Sequence, residues 1–167
     1  MSVEDRWLQK ALIEAQRAER LGEVPVGALV VQNNKVISIA FNSKENKNNP
    51  CGHAEILALS KAARRLKSWR LSGCTLVVTL EPCPMCLAAC QQARITKLIY
   101  GCKDPKGGAL SLGYSLHQDK RLNHQFEALF LETPECGKIL TRFFKKKRQK
   151  GPFQKGEFYS LLAQSLL

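Results

Sequence analysis

The apolar positions near the start of the chain, Trp7, Leu8, Ala11, Leu12, Ala15, Ala18 and Leu21, keep to one helical stripe. Ser2 followed by Asp5 has the form of a capping box, and Gly22 supplies a stop, so a first helix is expected between them. The period then changes. Val26 to Val31 and Val36 to Phe41 are rich in β-branched residues, and the polar Gln32-Asn33-Asn34-Lys35 between them predicts a hairpin. Asn42 to Gly52 is polar and reads as a loop. Helical spacing returns from about His53 to Lys67, with Ile56, Leu59, Ala63 and Leu66 expected inward and Lys61, Arg64 and Arg65 outward. Thr75 to Leu80 is almost wholly apolar, which predicts a strand buried on both faces.

Pro84, at a first helical position, opens a short helix to about Gln92, and Lys97 to Tyr100 reads as a further strand. The segment from Gly101 to Gly113 is a loop, and Gln125 to Leu131 is a last strand. Thr133-Pro134-Glu135 combines an N-cap, a proline at N1 and an early acid, and starts a helix that carries Leu140, Phe143 and Phe144 into the basic run. Gly151-Pro152 and Gly156 break the pattern afterwards, and Phe158 to Leu167 is expected to form a short apolar helix docking on the body or on a partner. Helices alternating with strands after an initial hairpin imply a layered α/β domain with a mixed sheet.

The 167 residues fit one domain. No apolar stretch approaches the roughly 20 residues of a membrane helix, and acids interrupt the N-terminal apolar residues, so neither a membrane span nor a signal peptide is expected and the cytoplasm is the expected location. The formal net charge is +12. Lys138 to Lys155 holds eight basic residues and no acid, and Lys61, Arg64, Arg65, Lys67 and Arg70 form a second such group. Clusters of this kind fit a polyanionic partner, because neutralising phosphates releases condensed counterions. A solvated basic face explains them equally well. The seven cysteines follow no framework of spacings, which excludes a fully disulfide-paired secreted domain. Of these, Cys51, Cys74, Cys90, Cys102 and Cys136 are expected to behave as small buried apolar residues.

Cys83 and Cys86 are different. They form a C-x-x-C pair at the start of a helix, thirty residues after His53, which begins another. Helix N-termini favour thiolate over thiol, the form that binds zinc. One imidazole and two thiolates suit a tetrahedral zinc, and three protein ligands leave a fourth position for water, which marks a catalytic rather than a structural site. Glu55 is placed to collect the proton of that water, since two residues diverging by about 200° inside a helix can both face a site beyond its first turn. A thioredoxin-like redox pair is the weaker alternative, because it explains neither His53 nor Glu55.

His53-Ala54-Glu55 followed by Pro82-Cys83-Pro84-Met85-Cys86 is the signature of zinc-dependent nucleobase deaminases. With Glu23-Val24-Pro25-Val26-Gly27-Ala28, Asn42, Tyr100-Gly101-Cys102-Lys103-Asp104-Pro105-Lys106 and Phe143 to Gln149, the chain resembles the cytidine deaminase-like superfamily and, within it, the bacterial tRNA-specific adenosine deaminases. The resemblance covers about residues 5 to 149. It implies a three-layer α/β/α fold with a five-stranded mixed sheet, a homodimer with one zinc per subunit, and a deaminase domain over residues 1–150, leaving 151–167 as a tail of unknown role. The implied reaction converts adenosine to inosine at the wobble position, 34, of a tRNA anticodon stem-loop. By the same resemblance His53, Cys83 and Cys86 hold zinc, Glu55 shuttles protons and Asn42 contacts the base. Val24 and Leu80 would wall the pocket, Asp104 and Lys106 lie beside the flipped nucleotide, and Phe144 and Arg148 lie near the RNA.

Two stretches depart from the family pattern. Gly107-Gly108-Ala109-Leu110-Ser111-Leu112 lacks the Gly-Ser pair expected near positions 111 and 112, and Asn49-Pro50-Cys51-Gly52 replaces the more usual Asp-Pro-Thr-Ala. Cys51 is thereby a conceivable fourth ligand, although packing in a tight loop is the expectation. Two other functions remain open: a deaminase of free purines or of nucleosides such as cytidine, and a non-catalytic zinc-containing RNA-binding subunit, for which Glu55 would be dispensable.

Overall fold

The structure is a computed structural model and describes residues 1–149; the expected apolar helix from Phe158 lies outside the described residues. Nine elements follow one another: α1 (Val3–Arg20), β1 (Gly27–Gln32), β2 (Lys35–Phe41), α2 (Ala54–Leu66), β3 (Cys74–Val78), α3 (Pro84–Gln92), β4 (Lys97–Tyr100), β5 (Glu127–Phe130) and α4 (Pro134–Gln149). The capping box at α1 is complete: Ser2 Oγ accepts from the Asp5 amide, and the Asp5 carboxylate accepts from the Ser2 amide at 2.7 Å. Asn33 and Asn34 turn the β1–β2 hairpin with φ of 49° and 58°, the left-handed pair that a two-residue hairpin with matching twist requires.

The five strands form one mixed sheet in the order β2-β1-β3-β4-β5. β1 pairs antiparallel with β2 and β3, whereas β3, β4 and β5 run parallel. Leu29, Val77, Ile99 and Leu129 are in register across one face, where Leu8 and Ala11 of α1 pack on them. The opposite row, Val30, Leu76 and Leu98, meets Ala58, Leu59 and Ala62 of α2 and Leu87 and Cys90 of α3. α4 lies beside α1, tied to it by an Arg142–Glu19 ion pair. A three-layer α/β/α arrangement results.

Packing corrects the sequence reading at several positions. The buried stripe of α2 is Ala54, Glu55, Ala58, Leu59 and Ala62, while Ile56, Ala63 and Leu66 are only half-buried. Small residues face the sheet because the helix backbone sits close to it, so the larger apolar side chains fall to the flank. On α4, Phe143 reaches the core, while Phe144, expected near the RNA, is 42% exposed with its ring edge-on to Phe143. Leu21 is exposed, beyond the last turn of α1. Cys74, Cys90 and Cys136 are buried as expected, but Cys102 is half-buried and Cys51 is exposed.

Lys61 and Arg65 are exposed but not merely solvated. Lys61 Nζ donates to the Ile39 carbonyl at 2.9 Å and an Arg65 guanidinium nitrogen to the Ile37 carbonyl at 3.0 Å, so two basic residues cover acceptors on the edge strand β2.

Candidate active site

The sheet register brings one end of four strands together. Gly27 pairs with Phe41 and Ala28 with Val78, so the start of β1 lies beside the ends of β2 and β3, and Val78 pairs in turn with Tyr100 at the end of β4. The segments that meet at this end are 23–26, leading into β1, and 42–53, 79–83 and 101–107, leaving β2, β3 and β4. It is the edge at which α/β sheets bind ligands, outside the carboxyl ends of parallel strands.

Two helices begin there. His53 is the N-cap of α2, in an extended conformation with φ −76° and ψ 145°, and Cys83 is the N-cap of α3, with Pro84 directly after it. Neither cap side chain bonds its own helix; both turn to each other. His53 Nδ1 is 3.6 Å from Cys83 Sγ and 3.5 Å from Cys86 Sγ. Zinc held tetrahedrally at about 2.3 Å by sulfur and about 2.0–2.1 Å by nitrogen sets those atoms about 3.6 Å apart. Both imidazole–sulfur spacings therefore match that ion. Among the described residues they are the group able to hold a metal, with ligand atoms within 4.8 Å of one another, and Cys51 is not among them. Cys51, exposed, is tied instead to its own turn by a 3.0 Å bond from its amide to Asn49 Oδ1, so it is neither a fourth ligand nor a packed core residue.

Cys83 is the readily ionised thiol, lowered to about 4 first by the bond from Cys86 and then by His53, while that same bond to Cys83, and then burial, push Cys86 up. His53 is raised, chiefly by its bond to Cys83. Glu55, 4% exposed, sits at the second position of α2; burial pushes its carboxyl up to about 7, the nearby imidazole opposing the shift. A carboxyl poised near neutrality beside a three-donor metal group is the arrangement expected of a proton shuttle.

The cavity in front of these groups measures about 230 Å³ and is lined by Val24, Asn42, Leu80 and Asp104 together with His53, Glu55 and Cys83. It is smaller than the roughly 300–1,000 Å³ of a drug-sized site, on the scale of one heterocyclic base. The model of the MafB19-like deaminase family matches residues 2–148. The chain belongs to that family. The deaminase is 43% identical over 152 residues to the tRNA-specific adenosine deaminase of Bacillus subtilis, covering 90% of this chain and 94% of the relative. It is also 43% identical over 142 residues to the enzyme of that name from Aquifex aeolicus, covering 85% and 94%. A structure solved in a study of A-to-I editing by tRNA:A34 deaminases superposes with a TM-score of 0.77 at 39% identity, over 81% of this chain and 99% of the other. A guanine deaminase from Nitrosomonas europaea, 20% identical with a TM-score of 0.66 over 82% of each chain, shares the fold.

The remaining expected residues of the deaminase lie outside the cavity lining. Lys106 is exposed at the tip of the loop after β4, and Phe144 and Arg148 stand on the exposed side of α4. Asp104 lines the cavity, but its Oδ1 already accepts the amides of Lys106 and Gly107, each at 3.1 Å, so part of its role is to shape its own loop.

Lys44, Glu45, Gly107, Glu23 and Glu81 also line the cavity and were not singled out from the sequence as site residues. Glu23, fully buried, accepts from the Glu45 amide (3.2 Å), the Asn46 amide (2.7 Å) and Asn46 Nδ2 (2.9 Å). Glu81, 2% exposed, accepts from the Asp104 amide (2.9 Å), the Ser111 amide (2.6 Å) and Ser111 Oγ (2.6 Å). The available signal was an acid close before a proline at a strand end, in Glu23-Val24-Pro25 and Glu81-Pro82, where a charged residue enters an otherwise apolar segment.

Proposed function

We propose that this deaminase converts adenosine to inosine at position 34 of a tRNA anticodon. The observation that carries the reading is the three-donor group of His53, Cys83 and Cys86 with Glu55 buried beside it at the floor of a base-sized cavity. His53 Nδ1 and the two thiolates would hold one zinc per subunit, which would supply the Lewis acidity that makes water nucleophilic near neutral pH. Glu55 would take one proton of the attacking water and pass it to N1 of the base as the C6–O bond forms, then take the remaining hydroxyl proton and pass it to the departing amine as the C6–N bond breaks, so that adenosine and water become inosine and ammonia. Asn42 holds the base by its amide, and Val24 and Leu80 enclose its apolar faces.

Charge sorts the substrate. The cavity lining has five carboxylates, Glu23, Glu45, Glu55, Glu81 and Asp104, against Lys44 as its lysine, in a chain of net charge +12. A neutral base enters such a lining, while its flanking phosphates stay on the basic exterior, where Lys106, Arg148 and the cationic side of α4 meet the RNA, with Asp104 and Phe144 beside the splayed nucleotides. Residues 1–150 form the catalytic domain, which acts as a homodimer in the cytoplasm. No helix among the described residues is long and apolar enough to cross a membrane.

The test is incubation of the zinc-loaded protein with an anticodon stem-loop carrying a wobble adenosine, beside free adenosine, cytidine and guanine, with sequencing of the RNA product. Inosine at the wobble position of the stem-loop is the expected product. Turnover of the small molecules alone would overturn the reading in favour of a free-base or nucleoside deaminase.

A further inference from the structure

Glu81 occupies an unusual place for a carboxylate. It is 2% exposed, has no cationic partner in any ion pair among the described residues, and lines the cavity without being one of the metal donors. Its amide donates to the Cys102 carbonyl at 2.8 Å, which fixes its backbone to the segment leaving β4. Its side chain then takes both ends of the loop that follows. Oε2 accepts the Asp104 amide and the Ser111 hydroxyl, and Oε1 accepts the Ser111 amide. Between those points the chain is closed by bonds from the Gly108 amide to the Asp104 carbonyl and from the Ala109 amide to the Pro82 carbonyl, both 2.8 Å.

Gly108 makes this possible. A Cβ there would stand 2.3 Å from the Glu81 carboxyl carbon and 2.6 Å from each oxygen, so any side chain would drive the carboxylate off its donors. The φ of Gly108 is not in the left-handed region, so its requirement is for space, not for conformation. Ser111 supplies two of the three donors from within the stretch that departs from the family pattern.

We infer that Glu81 is a positioning residue for the base: by clamping Asp104 and Ser111 it sets the distance of the 104–111 loop from Val24 and Asn42 across the cavity, and so sets how tightly a base is held. The clamp shapes the wall and does not touch the reacting atoms. Its loss therefore weakens binding of base and transition state alike, which raises KM and leaves kcat nearly unchanged. General destabilisation acts otherwise, lowering the amount of active enzyme and hence kcat. The kinetic part of the inference rests on the function proposed above.

Three single variants, together with Gly108→Ala in a Glu81→Ala background, test it in the zinc-loaded full chain, each assayed on the wobble-adenosine stem-loop and by amide hydrogen exchange. Glu81→Gln keeps the shape but has one acceptor oxygen in place of two, so its NH2 must face a backbone donor. Gly108→Ala displaces the carboxylate. Ser111→Ala removes only the hydroxyl and is the variant of least risk to folding. The expected result is a rise in KM of about tenfold for the first two and about twofold to threefold for the third, with kcat within about threefold. In the Glu81→Ala background, Gly108→Ala should add no further rise, because the oxygens it collides with are gone. Exchange protection of the Asp104 and Ser111 amides should fall in Glu81→Gln. Unchanged KM in all variants, or kcat falling in step with any loss of folded protein, overturns the inference. Should the wild type leave the stem-loop untouched, the proposed function fails while the clamp is still decided by exchange: protection retained at both amides in Glu81→Gln and Gly108→Ala refutes it.

Discussion

Replacing Glu55 with glutamine preserves the shape of the residue and removes its ability to carry a proton. Its effect depends on whether a neighbour can take over. Four other carboxylates line the cavity, Glu23, Glu45, Glu81 and Asp104. Glu23 and Glu81 each hold three donors, and Asp104 Oδ1 holds two amides of its own loop. Glu45 is exposed, at the mouth and away from the buried donor group. No substitute carboxylate with its oxygens free stands beside His53 and Cys83, so the loss falls at the upper end of the roughly 10²- to 10⁴-fold range for general acid–base catalysis. That corresponds to about 4–5.5 kcal/mol at 1.36 kcal/mol per tenfold. The assay is single-turnover deamination of the stem-loop, with metal content measured by mass spectrometry and RNA affinity by titration. Zinc stoichiometry and RNA affinity should stay at wild-type values, because glutamine alters neither the donors nor the basic exterior. Turnover within tenfold of wild type would refute the assignment of Glu55 as the proton carrier and return the non-catalytic subunit to consideration.

The other expectations follow from single contacts. Cys51→Ser should retain full zinc content, whereas Cys83→Ser or Cys86→Ser should lose zinc, read as metal per chain after dialysis against a weak chelator. At Gly27 a Cβ would lie 2.0 Å from the Ala11 carbonyl oxygen and 2.7 Å from the Ala15 amide nitrogen, so Gly27→Ala must push α1 off the sheet. Such overpacking costs about 3 kcal/mol or more, a fall in melting temperature of about 6–12 °C for a chain of this size. A melt within 2 °C of wild type, on the order of noise against that shift, would contradict the packing. Glu19 is held below its ordinary carboxyl value by its bond to Arg142, with burial opposing. A lowered folded-state pKa gives stability that is present above the unfolded value and is lost as pH falls through the folded one. The pair is half-exposed on the arginine side, so Arg142→Ala should cost no more than about 1 kcal/mol at pH 7, and the gap to wild type in thermal melts should close as the pH falls below the usual carboxylate range.

The hydrophobic pattern made most elements legible, and for physical reasons. The Ser2–Asp5 capping box, the Asn33-Asn34 turn and the Pro134 start of α4 are local, each decided by residues within four positions of one another. The metal group was legible for a different reason: its chemistry demands rare residue types, and three of them at two helix starts are hard to explain otherwise. What escaped was either a matter of packing distance or of long-range bonding. Periodicity located α2 but rotated its inward face, because alanines at 58 and 62 face the sheet where the helix lies close. Glu23 and Glu81 find their partners 22 to 30 residues away, beyond the reach of any helical or strand period. The five-stranded mixed sheet came from the resemblance, and its order, β2-β1-β3-β4-β5, came only from the structure, since alternation says which face a residue takes and not which strand lies beside it.

One short segment joins these levels. Leu80, Glu81, Pro82 and Cys83 leave β3 in sequence, and each faces a different part of the site: Leu80 the cavity, Glu81 the 104–111 loop, the Pro82 carbonyl the Ala109 amide, and Cys83 the imidazole of His53. The chain bends at Thr79 and Leu80 and runs without regular structure to Cys83, so successive side chains diverge and four neighbours serve four partners without a helix or a sheet to hold them. The arrangement also confines the backbone. The Glu81 amide is paired to Cys102, Pro82 has no donor to satisfy, and Pro84 starts the helix that presents Cys86. A shift at any one of these positions must move a wall, a loop and a metal donor together, so substitutions here should act on base affinity and metal retention in concert unless, like Glu81→Gln, they change the side-chain acceptors alone.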